Sequence, residues 1–184
     1  YHLKTDVHIH WIDSEQITEE NRSEMLSGLD GIIVPGGFGN RGIEGMIQSV
    51  RYARENRLPL FGICLGMQVA VIEYARYAAG LADADSGEFN ENCRHKVIDF
   101  MPGQSDEIAK GGTLRLGAYP CVIAEGTTMM RCYQKKQIAE RHRHRYEFNN
   151  EYRDLLREKG LTLSGMSPDQ QLVETIELTD RDFY

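Results

Sequence analysis

The segment Leu60-Phe61-Gly62-Ile63-Cys64-Leu65-Gly66-Met67-Gln68 constrains the fold more than any other part of the chain. A short apolar run, Leu58 to Ile63, leads into it. A helical pattern, Leu65 to Ala79, leaves it and is stopped by Gly80. Glycines flank Cys64 two residues away on either side. This is the strand–turn–helix pattern of a nucleophile elbow, with cysteine where serine often stands. The turn is expected to be too tight for side chains at Gly62 and Gly66. A helix starting at Leu65 directs its positive end at the sulfur, which predicts a favoured thiolate. The Leu65 N–H is then expected to face an oxyanion. A lone cysteine is ordinarily a buried structural residue, and it is the glycines and the strand-to-helix context that select a nucleophile here.

The elbow sits in a strand–helix alternation. Gly31-Ile32-Ile33-Val34 reads as a short strand stopped by Pro35-Gly36-Gly37-Phe38-Gly39. Ile43, Met46, Ile47 and Val50 form a helical stripe. Leu58 to Ile63 shows little alternation, as expected of a strand covered on both faces. Asp6 to Asp13 alternates Val7, Ile9 and Trp11 with His8 and His10, which predicts another strand. Thr18 to Leu29 is polar, with Met25, Leu26 and Leu29 at helical spacing. Such alternation predicts an α/β fold, an open and mostly parallel sheet flanked by helices. In that architecture sites gather at the carboxyl ends of neighbouring strands, so the Gly36–Gly39 turn and the Cys64 turn should share a crevice. The glycine turn is not a phosphate loop, because no Gly-Lys-Ser/Thr follows.

The remainder differs. Leu81 to Gly112 reads as a loop with a short strand near Val97 to Phe100, and Thr113 to Ile123 as antiparallel strands joined by a turn. Asn149 to Lys159 reads as a helix capped by Asn149 or Asn150 and ended by Gly160. Leu161–Met166 and Leu172–Leu178 read as a hairpin around Ser167-Pro168-Asp169, giving the fold an antiparallel extension. No repeat or linker divides the 184 residues, so one domain over 1–184 is expected.

The chain carries 21 Lys+Arg against 28 Asp+Glu, which argues against a general nucleic-acid binder. Arg141-His142-Arg143-His144-Arg145 is basic, but it is short and no aromatic platform interleaves it. No apolar run approaches a membrane span. Cys64, Cys93, Cys121 and Cys132 have neither zinc-site nor disulfide-framework spacing, so no metal is expected and a reducing, cytoplasmic setting is.

Gly-Ile-Cys-Leu-Gly-Met-Gln with an upstream Pro-Gly-Gly-Phe-Gly resembles the class I, triad-type glutamine amidotransferases. Three further stretches, Gly36–Ile47, Gly111–Cys121 and Glu140–Asn150, resemble the glutaminase domains of the CTP synthase family nearly end to end. The resemblance implies a flavodoxin-like fold in which Cys64 attacks the carboxamide carbon of glutamine, forming a thioester that water hydrolyses. It places Gly37 and Leu65 in the oxyanion hole. It places Gly37, Leu65, Gly66, Met67, Gln68, Glu88 and Arg145 around glutamine, with Glu88 facing the α-ammonium. A free amino acid carries two opposite charges, so such a pocket needs an anion and a cation. Arg115 is implicated as a candidate of the lid loop and GTP site. The family's ammonia passes to an N-terminal synthetase domain, absent from these residues, which amidates UTP with ATP and Mg²⁺, GTP activating. Full-length members form homotetramers. This domain itself needs no cofactor.

A cysteine nucleophile needs a base, usually His, oriented by a carboxylate. The family places both shortly past the position of Tyr184, and begins the domain with a strand and helix ahead of Tyr1. The resemblance therefore implies a domain shortened at both ends, with little glutamine turnover by these residues alone. His2, His8, His10, His95, His142 and His144 are poor substitutes for the base. The rival readings are an amidotransferase of another pathway, a DJ-1/PfpI-like cysteine hydrolase, and a non-catalytic module of the same fold. Leu65-Gly66-Met67-Gln68 fits amidotransferases better than the second of these, which usually has His after the cysteine.

Overall fold

The structure, a computed structural model, describes residues 4–100 and 115–180. Two helices of the α/β part are long: α2 (Ile43–Asn56) and α3 (Leu65–Tyr77). They follow the strands β1 (Ile32–Val34) and β2 (Leu60–Gly62), and a one-turn helix α1 (Arg22–Leu26) precedes them. β1 and β2 pair in parallel, with Ile33 opposite Phe61. β3 (Ala84–Ser86) and β4 (His95–Phe100) form a second parallel pair, extended on the antiparallel side by β7 (Tyr146–Phe148). The remaining strands make a four-stranded antiparallel sheet in the order β6-β5-β8-β9. They are β5 (Arg115–Ile123), β6 (Gln137–His144), β8 (Thr162–Met166) and β9 (Val173–Glu177). Helices α4 (Thr128–Tyr133) and α5 (Arg153–Glu158) connect its strands.

Helix α3 packs against both of the parallel pairs. Val69, Val71, Ile72 and Ala75 are all fully buried, and α3 packs on α2, β1, β2, β3, β4 and β7. A helix apolar on nearly every side belongs in the middle of a fold. Glu73 on α3 is also fully buried, and its carboxylate accepts three hydrogen bonds from Arg54 of α2 at 2.9–3.0 Å. That pairing meets the requirement that a buried charge be partnered.

The strand–helix alternation from Gly31 to Gly80 is present, as is the closing hairpin, β8 and β9. The helix after Asn149 opens as a 3-10 turn at Asn150–Tyr152, with the Asn149 side chain accepting from the Glu151 N–H.

Four expectations differ. Residues 4–13 form no strand: among the described residues no strand pairs with them, and Val7, Ile9 and Trp11 are 76%, 68% and 90% exposed. Alternation alone does not make a strand without a ladder partner and a face to bury. β2 is not covered on both faces, since Ile33 and Phe61 side by side are 68% and 62% exposed. Of Thr113 to Ile123, the described part is one continuous strand with no turn, and Gly117 sits within it at φ +117°. The stretch 81–100 contains the extra strand β3, and 101–112 lies outside the described residues.

Candidate active site

Cys64 immediately precedes α3, after β2 and Ile63, with φ +55° and ψ −105°, a conformation that costs a non-glycine residue roughly 1–3 kcal/mol. The flanking glycines make it possible. A Cβ at Gly62 would lie 2.7 Å from the Gly66 backbone, and one at Gly66 would collide with the Val34 carbonyl of β1. The elbow is thus wedged against the neighbouring strand. The glycine turn after β1 comes to the same place: a Cβ at Gly36 would lie 3.5 Å from the Cys64 Cβ, and one at Gly37 3.0 Å from the Leu65 side chain.

A cleft of about 410 Å³ opens over Cys64, lined by Gly37, Phe38, Cys64, Gln68, Glu88, Arg143, His144, Arg145 and Tyr146. Four separate segments build it: the turn after β1, the elbow with the first turn of α3, the turn after β3, and the end of β6 with the start of β7. Gln68 is anchored across it, donating to the Tyr146 carbonyl at 2.9 Å. The Arg143 guanidinium lies 5.7 Å from the Phe38 ring centre at the rim.

Gly37, Cys64, Gln68, Glu88 and Arg145 therefore meet in one cleft. Leu65, Gly66 and Met67 do not line it. Leu65 is buried against Gly37, Gly66 backs onto Val34, and Met67 packs on the core. The first N–H of the helix does reach the sulfur: the Leu65 N–H bonds the thiol and lowers its pKa.

The electrostatics revise one expectation. Burial pushes the Cys64 thiol up and outweighs the Leu65 N–H, while the charges of Glu147 and Glu88 add to the rise. The thiolate predicted from the helix end is disfavoured in this arrangement, because burial and two nearby carboxylates oppose the helix dipole. Burial also raises Glu88, against the Gly39 N–H and the Arg145 guanidinium, which draw it down. An anion and a cation thus face each other across the cleft.

Arg115 corrects a second expectation. It lies on β5 with a side chain 4% exposed, and both its terminal nitrogens are taken: by Glu174 at 2.8 and 2.5 Å and by Glu147 at 3.3 Å. A guanidinium so enclosed cannot reach a nucleotide at the surface.

Reading the sequence missed Phe38, Arg143, His144 and Tyr146 as lining residues. The basic run begins on the edge strand β6, where Arg141 and Arg143 are exposed and His142 and His144 half-buried, and Arg145 follows the strand, also exposed. Its period-two alternation was the available signal. Of the other histidines, His95 sits against Tyr152 (3.2 Å) and Asp83 (3.6 Å), away from the cleft. Among the described residues no cluster of His, Cys, Asp or Glu could hold a metal, and no helix is long and apolar enough to cross a membrane.

The family model for class I glutamine amidotransferases matches residues 1–184. CTP synthases of Caldanaerobacter subterraneus and Bacillus subtilis are 56% and 54% identical over 184 residues, the whole of this chain and 34% of each relative. The chain thus spans about a third of the length of these curated relatives. The Trypanosoma brucei CTP synthase glutaminase domain, solved with bound acivicin, superposes with a TM-score of 0.92 at 38% identity. That match covers all of this chain and 72% of that one.

Proposed function

The chain belongs to the class I glutamine amidotransferase family, within its CTP synthase branch, and from that premise we propose that it hydrolyses L-glutamine and supplies the ammonia to a CTP-forming synthetase. The observation that carries this reading is the cleft itself. It sets a strained cysteine at a helix start beside one carboxylate, Glu88, and the guanidinium groups of Arg143 and Arg145, a complement for the two charges of a free amino acid.

In this mechanism Arg145 and Glu88 hold the two charges of glutamine, and Gln68 orders the wall behind it. The Cys64 sulfur attacks the side-chain carboxamide carbon, and the oxyanion forms against the Leu65 and Gly37 N–H groups. Ammonia leaves as the thioester forms, and water cleaves the thioester to glutamate. The raised thiol pKa means that a base must take the proton as glutamine binds. His144 is ill suited to be that base, because its ring nitrogens face His142 and Glu147 and burial drives it down to about 4. We therefore propose that residues 1–184 alone turn glutamine over slowly, and that a histidine and its orienting carboxylate complete the site in the full-length protein.

There the ammonia amidates UTP on an N-terminal synthetase domain that uses ATP and Mg²⁺, in a cytoplasmic homotetramer activated by GTP. Arg115 is enclosed, so a GTP contact from this domain falls to the exposed arginines of β6. In the full-length protein, Cys64→Ala is expected to abolish glutamine-dependent CTP formation and leave ammonia-dependent formation intact. Equal loss of both would contradict the reading.

A further inference from the structure

The cleft wall formed by His144 and Arg145 is supported from behind. Five buried side chains close a ring there. Glu174 of β9 takes both Arg115 nitrogens of β5, at 2.8 and 2.5 Å. Arg115 Nη1 lies 3.3 Å from Glu147 Oε1 of β7. Glu147 Oε1 lies 3.4 Å from His144 Nδ1. His144 Nε2 lies 2.9 Å from His142 Nδ1. His142 Nε2 lies 3.5 Å from Glu174 Oε2, which completes the circuit. None of the five side chains is more than 15% exposed.

Protons decide how the ring closes, and they are assigned from the contacts. The His142–His144 contact needs one N–H and one bare nitrogen. If His142 donates, its bare Nε2 faces Glu174, a carboxylate already engaged by two guanidinium nitrogens. If His144 donates through Nε2, His142 Nε2–H points at Glu174 and the bare atom is His144 Nδ1. That buried nitrogen has no hydrogen-bond partner in the structure. Its neighbour Glu147 receives only one guanidinium contact, and the longer one. With a proton on Glu147 the ring runs in one direction, from Glu147 O–H through His144 and His142 to Glu174.

We infer that Glu147, which lines no part of the cleft, is a positioning residue for glutamine: its carboxyl shares one proton with His144 and so holds the His144–Arg145 wall. The inference rests on the amidotransferase reading. The groups facing Glu147 are Arg115 from β5, Glu174 from β9 and His144 from β6. Its register partner on β4 is Asp99, and its charge is felt by Cys64 at the start of α3. Burial raises the Glu147 carboxyl to about 7, with Arg115 opposing and Glu174 adding to the rise. Burial, then the His142 and Arg115 charges, press His144 down to about 4, against the pull of the Tyr146 carbonyl. Near neutrality the proton thus rests on Glu147. Above it, a carboxylate would face a bare ring nitrogen and the wall would loosen.

The test uses the full-length protein carrying Cys64→Ala, so that glutamine binds without turnover and no thiol titrates. Glutamine affinity is measured by calorimetry at about pH 6 and about pH 8.5, on either side of the Glu147 range. This parent should bind several-fold more weakly at the higher pH. Adding Glu147→Gln, whose amide donates to His144 Nδ1 at any pH, should remove the difference and keep the tighter binding. Adding Glu147→Ala should weaken binding several-fold at both, because the His144–Arg145 wall then loses its support at either pH. A Glu147→Gln protein with the parent's pH slope, or a Glu147→Ala protein with the parent's affinity, would overturn the inference. Ammonia-dependent CTP formation reports folding, and if Glu147→Ala fails it, the Glu147→Gln profile decides. A parent that binds no glutamine at either pH would overturn the amidotransferase reading and this inference with it.

Discussion

Two regions meet at the cleft and are built by different physics. The elbow region, the β1 turn with Cys64 and the start of α3, is held by backbone fit. Gly62 and Gly66 let β2, α3 and β1 approach closely, and the positive φ of Cys64 follows from that fit. The opposite wall is held by side chains far apart in sequence. Residues 115, 142, 144, 147 and 174 converge from four strands, and their mutual charges rather than their backbones fix the surface. One side of the site is thus rigid by steric exclusion. The other is rigid only while its charges and protons balance.

The contrast can be broken from either side. The largest effect should come from the charged wall. Glu174→Ala leaves Arg115 buried with only the longer Glu147 contact, and breaking such a pair costs about 3–5 kcal/mol. Thermal or denaturant unfolding should register that loss. A change below about 1 kcal/mol would mean that the ring is not a support. Next is Gly66→Ala in the elbow, where the added methyl meets the Val34 carbonyl. Overpacking of this kind costs roughly 1–3 kcal/mol, and the variant should also lose glutamine binding because the turn must shift. Retention of both stability and binding would show that the elbow tolerates more than its geometry allows.

The smallest effect is a slope. On folding, the pair moves a proton from His144 to Glu147. The unfolded chain at about pH 5.5 holds it on histidine, and the folded chain holds it on the carboxyl. Proton counts match, so the pair's contributions to the pH dependence of stability nearly cancel between about pH 4.5 and 6.5. In Glu147→Gln only the histidine contribution survives. Its folded-state pKa is depressed, so it contributes stability above about pH 6.5 that is lost as pH falls toward about 4. The variant should therefore lose stability on acidification more steeply than the parent, on the order of 2 kcal/mol more. His142, also held down by burial, adds a slope of the same sign to both proteins. Unfolding at several pH values checks this, and identical slopes would deny the shared proton.

The same contrast explains what could be read in advance. Gly62, Cys64 and Gly66 announce the elbow because its physics is local: three residues and two flanking patterns suffice. Glu88 and Arg145 were reached through family resemblance alone, since a loop carboxylate and an arginine between two strands carry no local signature. Glu174 gave no signal, because its partners are 32 to 59 residues away and only the folded sheet brings them together. Arg115 was misplaced for the same reason. The resemblance put it on a lid loop at the surface, whereas Glu174 and Glu147 enclose it in the folded sheet. Asp6 to Asp13 failed the opposite way: its alternation was clear, but a strand needs a neighbouring strand, and the described residues bring none to it.

Cys64 is proposed as a nucleophile served by a cleft that fits glutamine. Acivicin treatment of the protein followed by peptide mass spectrometry tests it most directly, because the chain holds three other cysteines as internal controls. One adduct is expected, on Cys64, suppressed by excess glutamine, at a rate that rises with pH as the raised thiol ionises. Adducts on Cys132 or Cys93 at comparable rates, or labelling of Cys64 that glutamine does not slow, would contradict it.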